Sequence, residues 1–147
     1  MGLETGRIPI PEEIMKVAIG SDHRGLMQRQ IVDQAVAAAG HFAVDCGTFS
    51  TESVDYPDIA EDVANQVANG SADRGILLCG TGIGVSIAAN KVHGIRAAVC
   101  WDEGSVKLSR QHNDANVLCL SSERFSVEEY HRLIKIWLET PFEGGRH

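Results

Sequence analysis

The sequence predicts an α/β protein built on a doubly wound sheet of five parallel strands, with helices on both faces. Short apolar runs, which suit strands covered on both faces, alternate along the chain with segments of helical periodicity or composition. Aromatic residues make up only 5% of the chain, which suits an α/β protein rich in small residues. Strands that alternate with helices imply right-handed crossovers, and the most economical order for five strands is the Rossmann-like order 2-1-3-4-5.

The chain is long enough for one globular domain. Its 147 residues, of which 44% are hydrophobic, can form a core that needs neither a disulfide nor a metal. We expect this domain to span residues 16–147, including a C-terminal tail. Residues 1–15 contain two prolines and three glutamates, and they predict an N-terminal extension without regular structure.

The first half of the domain predicts three strands and two helices. Apolar residues at helical spacing mark the first helix, which Gly40 ends, and the Pro57-Asp58 pair opens the second helix. The strands are expected at 16–20, 41–46 and 75–78, and the helices at 26–38 and from 57 to about 69.

The second half predicts three helices and two further strands. Ser126 and Glu129 have the spacing of a capping box, which fixes the expected start of the last helix. The helices are expected at 85–90, 103–111 and 127–139, and the strands at 95–100 and 117–120.

A glycine-rich loop from Gly80 to Gly84 links the third strand to the next helix. Glycine at every second position permits positive φ angles and leaves backbone N–H groups uncovered, so the loop can hold an anion at the positive end of the helix dipole. The alternatives are a close-packed turn without a ligand and a dinucleotide-binding loop. The dinucleotide fingerprint fails because Val85 occupies its sixth position, and no Walker loop sequence follows.

Two strand ends meet at the predicted switch point of the sheet. In the predicted order this point lies between strands one and three, and ligands bind at such points. Strand one ends at Asp22 and His23, and strand three ends at Cys79. We therefore expect an acid, an imidazole, a thiol and an amide-lined loop in one crevice.

Charge and cysteine spacing argue against other function classes. A net charge of −7 and a pI near 5.3 do not suit a nucleic-acid-binding surface. The four cysteines have neither metal-ligand nor disulfide spacing, so no metal is expected, and Cys46, Cys100 and Cys119 are expected to be buried apolar residues. Without an apolar run of 18 residues or a signal-peptide pattern, the chain predicts a cytoplasmic protein that contacts no membrane.

Seven motifs occur in order along residues 16–147. They are Gly20-Ser21-Asp22-His23-Arg24-Gly25, Asp55-Tyr56-Pro57, Cys79-Gly80-Thr81-Gly82-Ile83-Gly84, Ala89-Asn90-Lys91, Gly94-Ile95-Arg96, Ser109-Arg110-Gln111-His112-Asn113-Asp114 and Glu143-Gly144-Gly145-Arg146-His147. Together they resemble the motifs of type B ribose-5-phosphate isomerases, a family that also includes galactose-6-phosphate and allose-6-phosphate isomerases.

The resemblance implies a role for each matching residue. Cys79 would be the catalytic base and His112 the proton donor that helps to open the furanose ring, with Asp22 and Thr81 also in the catalytic set. The implied substrate contacts are Asp22, His23, Tyr56, Gly80, Thr81, Gly82, Ile83, Gly84 and Asn113, with phosphate contacts at Arg146 and, if one residue is inserted before it, Arg124. The family carries a further arginine four residues beyond Arg146, so here the phosphate site would be completed beyond His147 or would bind more weakly.

The implied activity is the interconversion of ribose 5-phosphate and ribulose 5-phosphate through a cis-enediolate. Such an isomerase moves a proton between two adjacent carbons and needs neither a metal nor another cofactor. A thiol at a helix N-terminus can act as a thiolate base, and loop amides can hold the enediolate oxygen. The alternatives are an isomerase of another phosphosugar (tetrose 4-phosphate, allose 6-phosphate or galactose 6-phosphate) and a non-catalytic nucleotide-binding module.

Geometry predicts that two subunits share each active site. His112 and Asn113 follow a helix of about ten residues, roughly 15 Å long, which leads away from the carboxyl edge of the sheet. Arg146 follows the last helix and starts from the same far side. A homodimer, or a dimer of dimers, would bring these residues to Asp22 and Cys79 of another subunit, and the resemblance also implies such an assembly.

Overall fold

The computed structural model describes residues 14–22, 25–46 and 56–145, and of Tyr56 it describes only the backbone. In these ranges five strands alternate with five helices, and every predicted end lies within two residues of the observed one. The strands are β1 (Lys16–Ser21), β2 (Phe42–Asp45), β3 (Arg74–Cys79), β4 (Ala97–Val99) and β5 (Val117–Ser121), and the helices are α1 (Leu26–Ala38), α2 (Tyr56–Ala68), α3 (Ile83–Asn90), α4 (Glu103–Gln111) and α5 (Val127–Glu139). None of the helices described is long and apolar enough to cross a membrane.

The five strands form one parallel sheet in the order β2-β1-β3-β5-β4. The α/β class and the places of the first three strands are as predicted, but the predicted order 2-1-3-4-5 is wrong for the last two. β5 lies beside β3, with Ser121 opposite Cys79, and β4 is an edge strand. Burial explains this order, because all of β5 is buried and needs neighbours on both sides, whereas the three residues of β4 are half-buried.

The two faces of the sheet carry separate apolar cores. α1, α4 and α5 cover one face, where they pack against side chains such as Ile76 and Leu78. α2 and α3 cover the other face, which includes Leu77 and Cys79. Because side chains alternate along a strand, the Cys79 thiol lies on the face covered by α2 and α3.

Two glycines bring α2 close to the centre of the sheet. A Cβ atom on Gly20 would lie 2.5 Å from Cγ2 of Ile59, and one on Gly75 would lie 2.6 Å from Cγ1 of Val63. Both distances are too short for a real side chain, so glycine at these positions allows the close contact of α2 with β1 and β3. This contact packs α2 over the two strands that lead to the predicted switch point.

Capping boxes define the starts of α4 and α5. The Ser126 hydroxyl accepts from the Glu129 N–H at 3.2 Å, and the Glu129 carboxylate accepts from the Ser126 N–H at 3.0 Å, as the sequence predicts. Asp102 and Ser105 form an equivalent box at the start of α4, which the sequence prediction leaves out because serine replaces the usual glutamate or glutamine.

Candidate active site at the carboxyl ends of the central strands

Cys79 ends β3 at the carboxyl edge of the sheet and is only 6% exposed. Its sulfur atom accepts a hydrogen bond from the backbone N–H of Gly82 at 3.2 Å. An N–H group aimed at the sulfur can stabilise negative charge there. The thiol is therefore held at the start of α3 by the loop that follows it.

Gly82 gives this loop its shape. It is the N-cap of α3 and has a φ of 82°, a left-handed conformation that favours glycine. A Cβ atom here would lie 3.2 Å from the carbonyl carbon of Leu120 and 3.4 Å from that of Cys119, both in the backbone of β5. The missing side chain thus lets the loop lie against β5 while its N–H points at Cys79.

The end of β5 holds the same loop by hydrogen bonds. The Ser122 N–H donates to the Cys79 carbonyl at 2.9 Å, and the Ser121 hydroxyl donates to the Gly80 carbonyl at 2.7 Å. The Ser121 carbonyl in turn accepts from the hydroxyl of the buried Tyr130 at 2.7 Å. The loop is therefore attached to β5, and β5 is attached to α5.

Asp22 stands at the neighbouring strand end, as the predicted switch point requires. Its N–H donates to the Leu78 carbonyl at 3.4 Å, beside the end of β3. Its carboxylate accepts from the Gly25 N–H at 3.0 Å, which closes the turn after β1. The structure thus brings Asp22 and Cys79 to adjacent strand ends at one edge of the sheet.

A cleft of about 190 Å³ opens beside the loop. The Thr81 hydroxyl at this cleft accepts from the Ile83 N–H at 3.1 Å, so its own hydrogen is available to a ligand. Arg124, the implied phosphate contact, lines the same cleft. The residues that line it are Thr81, Ile83, Val99, Cys100, Trp101, Ser121, Arg124 and Phe125.

His112 and Asn113 lie near the amino ends of the strands, on the opposite side of the sheet from Cys79. His112 is the C-cap of α4, which starts just after β4 and whose nine residues span about 13 Å. Its Nε2 lies 3.7 Å from Oε1 of Glu143, and the Asn113 carbonyl accepts from Nη1 of Arg96 at 3.3 Å. A single chain therefore does not bring His112 or Asn113 to Cys79.

The three remaining cysteines are buried, as predicted, and their surroundings disfavour the thiolate. Burial raises the pKa of Cys46 to about 11 and raises the pKa of Cys100. Burial also raises the pKa of Cys119 well above its ordinary value. Since the thiolate is the reactive form, these three residues are poor candidates for a catalytic base.

The implied site also includes residues that the structure does not describe. His23, Arg146 and the side chain of Tyr56 lie outside the described residues. Within the ranges that the structure describes, no group of three or more His, Cys, Asp or Glu residues could hold a metal ion.

The predicted site leaves out three residues at the end of β5: Ser121, Ser122 and Glu123. Besides the two serine contacts, the Glu123 carboxylate lies beside the loop, 3.8 Å from where a Cβ on Gly80 would stand. These contacts follow from the pairing of β3 with β5, and the predicted order places the fourth strand there instead. The apolar run from Val117 to Leu120, suited to a fully buried strand, is the signal that favours β5 at the centre.

Comparisons with known proteins agree with the motifs and the fold. Residues 17–147 match the family model described as Ribose/Galactose Isomerase. Ribose-5-phosphate isomerase B of Escherichia coli K12 is 47% identical over 132 residues, which cover 90% of this chain and 89% of that protein.

Solved structures of similar proteins share the fold over most of their length. Type B ribose 5-phosphate isomerase of Trypanosoma brucei is 47% identical, with a TM-score of 0.87 over 91% of each chain. Ribose-5-phosphate isomerase B of Mycoplasma genitalium, solved with bound ribulose-5-phosphate, is 43% identical, with a TM-score of 0.83 over 90% of this chain and 88% of that one. The chain therefore belongs to the ribose/galactose isomerase family.

Proposed function

We propose that the protein is an aldose–ketose isomerase that interconverts ribose 5-phosphate and ribulose 5-phosphate. The observation that carries the proposal is the Cys79 thiol, held by the Gly82 N–H in an amide-lined loop beside Asp22. Relatives from Escherichia coli and Trypanosoma brucei are named ribose-5-phosphate isomerases, and the Mycoplasma genitalium relative was solved with bound ribulose-5-phosphate.

The proposed reaction moves one proton between two carbons of the open-chain sugar. The Cys79 thiolate removes the proton from C2 of the aldose, and the C1 carbonyl oxygen becomes the oxyanion of a cis-enediolate. The thiol then returns the proton to C1, while a proton passes from the C2 hydroxyl to O1, which leaves a ketone at C2. Preorganised N–H groups of the loop would stabilise the oxyanion where it forms.

Thr81 and Asp22 are the proposed partners of the sugar hydroxyls. The Thr81 hydroxyl already accepts from the Ile83 N–H, so it can donate its hydrogen to a sugar oxygen. The Asp22 carboxylate uses one oxygen for the Gly25 N–H, and its second oxygen can accept from a sugar hydroxyl. Arg124, at the cleft beside Thr81, is the proposed phosphate contact in the same chain.

A second copy of the chain would supply His112, Asn113 and Arg146. Ring opening requires a proton donor near the ring oxygen, and His112 lies at the wrong edge of its own sheet while its side chain is 42% exposed. The exposed apolar side chains of Ile83 and Trp101 line the cleft, and Ile87, also exposed, follows Ile83 by one turn in α3. We therefore propose a two-fold homodimer, or a dimer of dimers, whose interface covers these side chains.

Another phosphosugar is the second candidate substrate, because the family model includes galactose isomerases as well as ribose isomerases. Tetrose 4-phosphate, allose 6-phosphate and galactose 6-phosphate would use the same base and the same amides. Family membership leaves a non-catalytic nucleotide-binding module without support. A coupled assay across tetrose, pentose and hexose phosphates ranks the substrates.

The proposed location is the cytoplasm. The described cysteines are all free and buried, which suits a reducing compartment, since oxidising compartments favour disulfides. Metabolism of a small phosphosugar also fits that location.

The test of the proposed function is Cys79→Ala, assayed for ribulose 5-phosphate formation. This variant should lose turnover while it keeps its fold and most of its binding of an enediolate-like inhibitor. The lost hydrogen bond from the Gly82 N–H should cost only about 1 kcal/mol of stability. Cys46→Ala removes an equally buried thiol away from the loop and should stay active. If Cys79→Ala kept more than a few per cent of the activity, another residue would have to be the base.

A further inference from the structure

We propose that Ser121 is a positioning residue for the isomerisation, because its hydroxyl fixes the direction of the Thr81 N–H toward the substrate crevice. This inference rests on the proposed isomerase function. It adds a residue of the neighbouring strand to a loop that the motifs assign to residues 79–84 alone.

The hydroxyl of Ser121 has no freedom to turn elsewhere. The residue is 5% exposed and lies opposite Cys79 in the register of β3 and β5. Its oxygen accepts from the Glu123 N–H at 3.1 Å, and its hydrogen is donated to the Gly80 carbonyl at 2.7 Å. Both hydrogen-bonding functions of the hydroxyl are therefore in use, and one of them determines where the Gly80 carbonyl points.

The direction of a carbonyl sets the direction of the next N–H. In a planar trans peptide the C=O and N–H groups point in opposite directions. Since the Gly80 carbonyl points toward β5, the Thr81 N–H points away from β5, toward the side of β1. That side is the crevice between β1 and β3, where Asp22 ends its strand.

The preceding peptide is oriented in the same way. The Cys79 carbonyl points toward β5, where it accepts from the Ser122 N–H at 2.9 Å, so the Gly80 N–H also points toward β1. Within the described ranges neither the Gly80 nor the Thr81 N–H has a hydrogen-bond acceptor. Two successive N–H groups thus point into the crevice between β1 and β3, where they could hold the oxygen of the proposed enediolate.

The loop needs an outside contact to keep this orientation. Gly80 and Gly82 flank Thr81, and glycine allows a peptide to rotate at little steric cost. Without the Ser121 hydroxyl, the peptide between Gly80 and Thr81 could turn its N–H away from the crevice. Ser121 is itself well placed to resist this motion, because the buried Tyr130 hydroxyl holds its carbonyl at 2.7 Å.

The experiment compares Ser121→Ala with Ser121→Thr and with Ser109→Ala. Ser109 is a matched control, since it is also 5% exposed and its hydroxyl also donates to a carbonyl at 2.7 Å, but in the last turn of α4 rather than at the loop. Ser121→Ala should lower kcat about tenfold and leave KM nearly unchanged. Deleting an oxyanion donor typically lowers kcat by about 10²–10³, and a donor that is only misdirected should lower it less. It should weaken the binding of a sugar-phosphate hydroxamate, which mimics the enediolate, by a similar factor, while Ser121→Thr should restore both values.

A second measurement needs no substrate. Hydrogen exchange of the Gly82 amide should become about five times faster in Ser121→Ala, the factor that corresponds to the loss of one ordinary hydrogen bond. Ser109→Ala should not change this rate. Failure of the unmodified protein to isomerise ribose 5-phosphate would count against the proposed function, whereas the exchange rates would still report on the loop.

Three results would overturn the role of Ser121. The first is that Ser121→Ala has the same kcat and the same hydroxamate affinity as the unmodified protein. The second is that Ser121→Ala loses no more kcat and hydroxamate affinity than Ser109→Ala does. If Ser121→Ala is unstable, Ser121→Cys keeps the side-chain size with a weaker donor and must lower kcat in the same direction. Full activity of that variant is the third contradictory result.

Discussion

Replacing Gly82 with alanine should damage both the stability of the fold and the chemistry of the site. The residue has a φ of 82°, and its N–H donates to the Cys79 sulfur. A Cβ atom at this position would lie 3.2 Å from the carbonyl carbon of Leu120. Because that carbon belongs to the buried backbone of β5, the loop rather than the strand must move.

The expected loss of stability has two parts. The left-handed backbone costs an alanine about 1–2 kcal/mol, of which the reduced entropy of the unfolded chain offsets about 0.4–1 kcal/mol. The contact with β5 adds about 1–3 kcal/mol, the usual range for overpacking a rigid site. The total of roughly 1–5 kcal/mol corresponds, at about 3 °C per kcal/mol, to a decrease in Tm of about 3–15 °C for a chain of this size.

Gly70→Ala is the matched control for this prediction. Gly70 has a φ of 83°, and a Cβ atom there would meet nothing within 4 Å. The Gly70→Ala variant should therefore lose only about 1 kcal/mol of stability, which is the net cost of the left-handed backbone, and its kcat should not change. Gly82→Ala should in addition lower kcat by about 10², because the N–H at Cys79 and the neighbouring loop amides are displaced.

Thermal denaturation and steady-state kinetics of the two variants decide the matter. Equal decreases in Tm, with kcat unchanged in both, would refute the reasoning, since they would show that neither the contact with β5 nor the loop geometry matters.

Three further predictions concern the assembly, the metal requirement and the pH dependence. A mixture of inactive Cys79→Ala and inactive His112→Ala proteins should regain activity once subunits exchange, because a heterodimer keeps one complete site; a dead mixture would place each site within one chain. Activity should survive exhaustive chelation with EDTA, and dependence on an added divalent metal would contradict the proposed chemistry. Burial, helped by the Asp45 carboxylate and opposed by Arg29, raises the pKa of Asp33 from 3.8 to about 7. The folded state therefore keeps a proton that the unfolded chain loses at lower pH. The contribution of this proton to the free energy of unfolding is complete below about pH 4 and is lost as the pH rises through about 7. Asp33→Asn should flatten the fall of the urea midpoint over that range, and an unchanged slope would disprove the assignment.

Local patterns in the sequence were sufficient to predict the elements. The capping box of Ser126 and Glu129 marks the start of α5, and the buried run before Cys79 marks β3. The glycines of the loop after Cys79 and the residues after β1 are local features as well. Asp22 and Cys79 come together at the carboxyl ends of the strands because β1 pairs with β3. The predicted doubly wound order includes this pairing correctly.

The order of the last two strands depends on contacts that are distant in sequence. The position of β4 before β5 in the chain does not indicate that β5 inserts beside β3. The indication lies in relative burial, since Val117 to Ser121 are all buried whereas β4 is short and half-buried. The same long-range pairing brings Ser121 and Ser122 to the loop, so the predicted site lacks both residues although it contains the thiol that they help to position.

The central place of β5 has a consequence for how the protein is made. β1, β2, β3 and β4 all precede it in the chain, so during synthesis from the N-terminus the edge of β3 has no partner on that side until residues 117–121 emerge from the ribosome. An unpaired strand edge is a site for aggregation, and we expect nascent chains that end before Val117 to need protection there. The strand that closes this gap also brings in the two serines that hold the loop after Cys79, so the pairing of β5 protects the edge of β3 and fixes this loop in one step.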